Sequence, residues 1–165
     1  MIFDEVQVGI GRTGKMYCHE HFDIKPDIFT LAKAIGGGLP VGAVVASPKV
    51  ADFLTPGSHG TTMGGNPLAM AAGMASFKQI NTKSFLSSVT SKGKYFLKEL
   101  KKLSKNDKIK EVRGLGLILA IEFFSAKLAK KFATSCLNKG LLVLLTEKVN
   151  IRILPPLNVK KSEID

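Results

Sequence analysis

The sequence predicts an α/β fold: a mainly parallel sheet covered by helices over residues 1–80, then a smaller α+β unit over 81–165. Three observations predict it. Apolar runs alternate with helix-patterned stretches through the first half, the pattern of parallel strands joined by crossover helices. Two of those runs end on Asp4 and Lys33, and glycines follow both. A polar break at Asn81-Thr82 precedes a change of pattern, after which short strands and amphipathic helices are mixed.

The elements follow in order. Met1-Ile2-Phe3 is the tail of a buried strand with Asp4 at its carboxyl end, and Glu5 to Gly14 is a glycine-rich turn. Lys15 to Phe22 is a short helix closed off before Pro26. Ile28 to Ala32 is a buried strand that stops at Lys33, where Gly36-Gly37-Gly38 lets the backbone turn tightly. Val41 to Ala46 is a further strand, expected parallel to the others, and Pro48 to Leu54 gives one or two helical turns. Thr55 to Gly65 is a loop of Gly, Thr and Ser. Asn66-Pro67 starts a helix, Asn as N-cap and Pro at the first helical position. Leu68 to Ile80 is apolar and rich in small residues, so this helix is expected to be well buried. Lys83 to Leu103 is amphipathic. Ile109 to Val112 and Leu117 to Phe123 are strands around an Arg113–Gly116 turn. Ala126 to Asn138 is a helix stopped by Gly140, and Leu141–Leu145 and Ile151–Leu154 are the last strands. Ser162 resembles an N-cap without its helix, and only three residues precede Asp4, so both ends read as cut.

Composition narrows the function. Hydrophobic residues make up 45% of the 165, enough for a real core. No apolar run reaches membrane-spanning length, the start lacks a signal-peptide pattern, and two distant cysteines suit a reducing compartment. These features predict a cytoplasmic protein without a membrane partner. The net charge is +11, but it comes from 21 Lys and only 3 Arg. Arg is the usual reader of base edges, and the densest basic run, Lys92 to Lys110, overlaps the amphipathic helix. The lysines therefore read as a solvated face, and no specific nucleic-acid partner is expected.

Asp4 and Lys33 are the residues equipped for chemistry. Ligand groups in open α/β sheets sit at the carboxyl ends of strands. A lysine at such an end, partly desolvated, has an amine free to attack a carbonyl. If both face one crevice, the pair suits pyridoxal phosphate: the amine condenses with its carbonyl, and the carboxylate keeps its pyridine nitrogen protonated. Weaker signals are set aside. Gly9-Ile10-Gly11-Arg12-Thr13-Gly14 has dinucleotide-loop spelling but lacks the helix and the distant acid that should follow. Cys18-His19-Glu20-His21 lacks a second half-site for a metal, so no metal is expected.

The surrounding segments carry a resemblance. Phe3 to Lys15, the register through Lys33-Ala34-Ile35-Gly36-Gly37-Gly38, and His59 to Ala69 resemble class III pyridoxal-phosphate-dependent aminotransferases. Pro56 to Thr62 looks most like the acetylornithine branch, and Val112–Gly116 and Arg152–Leu157 fit as well. The resemblance covers nearly the whole chain but only the later half of the family's length. It implies part of a fold-type I large domain followed by a small C-terminal α+β domain. It implies Lys33 as the catalytic lysine, first holding the cofactor and then carrying a proton between substrate and cofactor. Asp4 would pair with the pyridinium, Val6 pack on the ring, and Gln7 bond its phenolic oxygen, with Glu5 in the same cofactor-contacting segment. Thr62 would donate to the cofactor phosphate of the neighbouring subunit in a homodimer, with Thr61 beside it near substrate. Arg152 is either a partner for a substrate carboxylate or a salt-bridged strand residue.

The implied reaction moves an amino group from N-acetylornithine, or a related ω-amino donor, to 2-oxoglutarate in arginine biosynthesis. The family's phosphate-cradling loop, its stacking aromatic ring and one substrate arginine match no segment here. The sequence is thus compatible with three roles: an aminotransferase, an inactive truncated remnant of one, or a basic non-enzymatic binding protein.

Overall fold

The computed structural model describes residues 1–165, which form two compact units, Met1–Leu86 and Ser87–Asp165. The division falls inside a helix, downstream of the expected break at Asn81-Thr82.

The first unit holds a three-stranded sheet of β1 (Ile2–Asp4), β2 (Ile28–Leu31) and β3 (Ala43–Ala46), in that spatial order. β1 and β2 are parallel, with Asp4 opposite Thr30. β3 runs antiparallel to β2, contrary to the expectation, with Val44 opposite Thr30. The reason is the length of the connection. A parallel return needs a crossover of a dozen or more residues, usually helical. Residues 32–42 supply one 3-10 turn, Lys33–Gly36, and no more.

One short element is smaller than its sequence suggested: the helix expected over Lys15–Phe22 is a 3-10 turn at Cys18–His21. α1 is a single turn at Pro48–Ala51, within the one or two turns expected. α2 (Pro67–Ile80) begins as predicted, the Asn66 side chain accepting the Ala69 N–H at 2.9 Å. Its burial is not as predicted. Only Ala69 and Ile80 are buried, while Leu68, Met70 and Met74 stand exposed. The small residues of α2 mark the face that makes contact, and Leu68, Met70 and Met74 lie outside it. Met1 and Ile2 are likewise exposed, so β1 is not the buried strand expected.

The second unit is built on an antiparallel sheet of β4 (Ile109–Leu115), β5 (Ile118–Phe123), β7 (Asn150–Ile153) and β6 (Leu144–Thr146). β4 runs straight through Arg113 and Gly114, so the turn to β5 is tighter than expected and centres on Gly116-Leu117. α3 (Lys83–Lys101) ends in a 3-10 turn at Lys102–Lys105, and α4 (Ala126–Asn138) is capped by the Ser125 hydroxyl, which accepts the Leu128 N–H. Ile109, Val112, Ile121, Phe123, Ala129 and Ile151 form one core, with Leu97, Leu100 and Phe132 packed against it. The chain closes on α5 (Lys161–Ile164), where the Glu163 carboxylate accepts the Lys160 N–H at 2.7 Å. Lys160 is thus the N-cap and Ser162 lies within the helix. No helix is long and apolar enough to cross a membrane.

Candidate active site

Asp4 and Lys33 leave the carboxyl ends of two neighbouring parallel strands. Asp4 is exposed, and two bonds fix its carboxylate: Oδ1 accepts the Val6 N–H at 2.9 Å and the Thr30 hydroxyl at 3.4 Å. The first is an Asx turn, in which an aspartate side chain caps the backbone two residues on. Val6 and Gln7, the next residues of this turn, are half-buried.

Lys33 is exposed, so this chain alone does not provide the partial desolvation expected of its ammonium. Its backbone is unusual. Lys33 has φ 54°, in the left-handed region that disfavours side chains bearing a Cβ. Such strain persists where the surroundings over-determine it. Here α2 supplies the surroundings. A Cβ on Gly37 would lie 2.8 Å from the Ala72 carbonyl oxygen, and one on Gly73 would lie 2.9 Å from that of Ile35. The Ser76 hydroxyl donates to the Ala34 carbonyl at 3.3 Å. The turn that presents Lys33 therefore rests on α2 at backbone contact distance.

Thr61 and Thr62 lie in the exposed loop ahead of α2. The Thr61 hydroxyl accepts the Gly64 N–H at 3.1 Å, and the Asn66 amide donates to the Met63 carbonyl at 3.0 Å. One helix thus has the threonine loop at its start and the lysine turn against its side.

Glu5, unlike Asp4, is buried. Its side chain is 2% exposed, with Oε2 accepting the Cys18 N–H and Oε1 accepting both the His19 N–H and Nδ1–H. The His19 ring stacks on Tyr17 and lies beside Phe3 and Phe29. His21 contacts the Thr13 hydroxyl through Nε2, and burial, then Lys15, push its pKa down. Burial, then Glu5, push the Cys18 thiol up, away from the reactive thiolate. The Cys18–His21 tetrad is thus occupied internally, its histidines holding Glu5 and Thr13.

Arg152 lies in the second unit on β7, half-buried, opposite Ala120 on one side and Leu144 on the other. It lines a cleft of about 440 Å³ with Arg113, Thr146, Glu147 and Asn150. Arg113 is committed there, donating to Glu122 at 2.6 Å, Glu111 at 2.9 Å and Asn150 at 3.1 Å. Sequence reasoning missed the left-handed Lys33, the contact of α2 with its turn, and the bonding of Glu5 to His19. The glycines at 37 and 73 were the available signal for the second. Nothing in the sequence signals the other two.

Known proteins resemble this chain along its whole length. The class-III aminotransferase family model matches residues 1–165. The chain is 50% identical to the acetylornithine aminotransferase of Methanocaldococcus jannaschii, over 100% of this chain and 41% of that protein. It is 45% identical to the Bacillus subtilis acetylornithine aminotransferase, over 99% of this chain and 42% of that protein. The solved acetylornithine aminotransferase of Elizabethkingia anophelis superimposes with a TM-score of 0.91 at 39% identity, over 99% of this chain and 42% of that one. The chain therefore spans about two fifths of the length of the curated relatives it matches. Class III aminotransferases of this fold depend on pyridoxal phosphate. The chain belongs to the class-III aminotransferase family.

Proposed function

We propose that this chain is the later part of a pyridoxal-phosphate-dependent transaminase of the acetylornithine type, acting as a homodimer. It would take N-acetylornithine, or a related ω-amino compound, as donor and 2-oxoglutarate as acceptor. The observation that carries the reading is the placing of one carboxylate and one amine at the ends of adjacent parallel strands, with Asp4 in register with Thr30 three residues before Lys33. The donor set fits the group: a carboxylate with its orientation fixed through Oδ1, and an exposed lysine on a braced turn.

Bound pyridoxal phosphate supplies an electron sink for the carbanion at the substrate carbon. The chain's own residues supply the rest. Asp4 holds a proton on the pyridine nitrogen, and Val6 and Gln7 hold the ring's face and its phenolic oxygen. Lys33 anchors the group and then moves a proton at the substrate carbon. Thr62 bonds the phosphate of the partner subunit's cofactor, Thr61 lies near substrate, and Arg152 receives a carboxylate. The names of the relatives support the donor class: most are acetylornithine aminotransferases, and one, from Staphylococcus saprophyticus at 45% identity, is an ornithine aminotransferase.

Titrating the purified chain with pyridoxal phosphate tests the reading. It expects a visible absorbance band that is absent from Lys33→Ala and is discharged by N-acetylornithine. A band that survives Lys33→Ala, or no band in the wild type, contradicts it.

A further inference from the structure

We propose that Glu5 is a positioning residue: its buried carboxylate fixes the turn through which Asp4, Val6 and Gln7 meet the cofactor, without touching the cofactor itself. The inference rests on the cofactor reading above and goes beyond it in assigning the residue between the ligands a separate task.

The surroundings of the side chain come first. Asp4 is the last residue of β1 and Glu5 the first beyond it, and their side chains differ in surroundings. Asp4 is exposed while Glu5 is buried. Three donors converge on Glu5, at 2.6 Å from the Cys18 N–H, 2.8 Å from the His19 N–H and 2.7 Å from His19 Nδ1. These lengths are those of charge-assisted bonds. An ionised carboxylate only accepts, so all three donors are satisfied and His19 presents Nδ1–H. A glutamine would turn an N–H₂ toward one of those donors.

The backbone of Glu5 is held as firmly. Its N–H donates to the Thr30 carbonyl at 3.0 Å, and its carbonyl accepts the Gly9 N–H at 2.9 Å. A Cβ on Gly9 would fall 2.9 Å from that carbonyl oxygen and 3.1 Å from Oε2. Glu5 thus ties together β2 through Thr30, the far side of the turn through Gly9, and the Cys18–His21 segment through its carboxylate. The peptide that follows it carries the Val6 N–H, which bonds Asp4 Oδ1 at 2.9 Å. Loosening Glu5 therefore moves the ligand-bearing carboxylate by way of the backbone.

The test compares the full chain with Glu5→Gln and with His19→Phe, which removes one donor but keeps a ring to stack on Tyr17. Amide hydrogen exchange is read without cofactor, and pyridoxal phosphate affinity by absorbance. The expected result for Glu5→Gln is faster exchange at Val6, Gly9, Cys18 and His19 with Leu31 and Ala69 unchanged. The dissociation constant should rise about tenfold, the order expected for a lost bond to a charged group. His19→Phe should show the same pattern, weaker. Uniform acceleration across the first unit would make Glu5 merely structural and overturn the proposal. So would unchanged cofactor affinity in a Glu5→Gln chain whose wild type binds. A wild type that binds no cofactor overturns the underlying reading instead, and that arm alone reveals it.

Discussion

The two units solve the same problem with opposite success. Ser87–Asp165 folds a four-stranded sheet, α4 and the later part of α3 around a core in which Leu117, Leu119, Ile121 and Ile151 are at most 1% exposed. Met1–Leu86 carries Asp4 and Lys33, yet its buried apolar residues are few and dispersed: Ile10, Met16, Leu31, Ala69 and Ile80. Its large side chains, Val44, Phe53, Leu68, Met70 and Met74, face outward. Beside its three-stranded sheet, its order draws on hydrogen bonds around Glu5 and on backbone contacts along α2. The difference teaches that the unit bearing the candidate chemistry is held by polar geometry, whereas the other is held by apolar burial. Polar geometry gives precise local placement but little of the area-proportional stabilisation that burial supplies.

The largest expected effect of that difference is in amide exchange. Ile121 and Ile151 should exchange at least about a hundredfold more slowly than Leu31, since local opening follows local burial. Equal rates would break the comparison. Next, Ile121→Ala should cost about 2–5 kcal/mol in a denaturant titration, whereas Leu68→Ala should stay within about 0.5 kcal/mol. A large loss at Leu68 would mean that α2 buries its apolar face in solution.

A smaller effect sharpens the account of the lysine turn. Lys33→Gly and Lys33→Ala both remove the amine, but only glycine accepts φ 54° freely. The glycine variant should be more stable by about 1 kcal/mol in the same titration. If alanine is the more stable, the turn relaxes when the lysine is removed and no strain is stored there.

The smallest effect is electrostatic. Hydrogen bonds from Lys110, then Arg113, hold the Glu122 carboxyl below its usual range. Its folded-state pKa is depressed. The stabilisation is therefore present above the unfolded carboxyl value, roughly 4.3, and is lost as pH falls through the folded value. Glu122→Gln should lower the denaturant midpoint at neutral pH, and the two curves should converge in acid.

Much of this was legible in the sequence, and the failures have physical causes. Asn66 and Pro67 announced the start of α2, and strand ends at Asp4 and Lys33 were read from apolar runs that stop at a charged residue. The orientation of β3 is not legible because a four-residue apolar strand looks the same in either direction, although the short 32–42 link argues against a crossover. The burial of α2 is not legible because apolar composition reports an affinity for cover and does not say whether the chain supplies it. At the site, residue types were legible and their strain was not. Lysine is the wrong residue from which to infer a left-handed backbone, and a contact between Glu5 and His19 has no periodicity to betray it.

The central claim is that one amine among 21 lysines is singled out by the fold. Borohydride reduction of the chain with one equivalent of pyridoxal phosphate, followed by peptide mass spectrometry, tests this most directly. The account predicts a pyridoxyl label concentrated on Lys33. A label spread over exposed lysines such as Lys105 and Lys131, with Lys33 no more modified than they are, would contradict it.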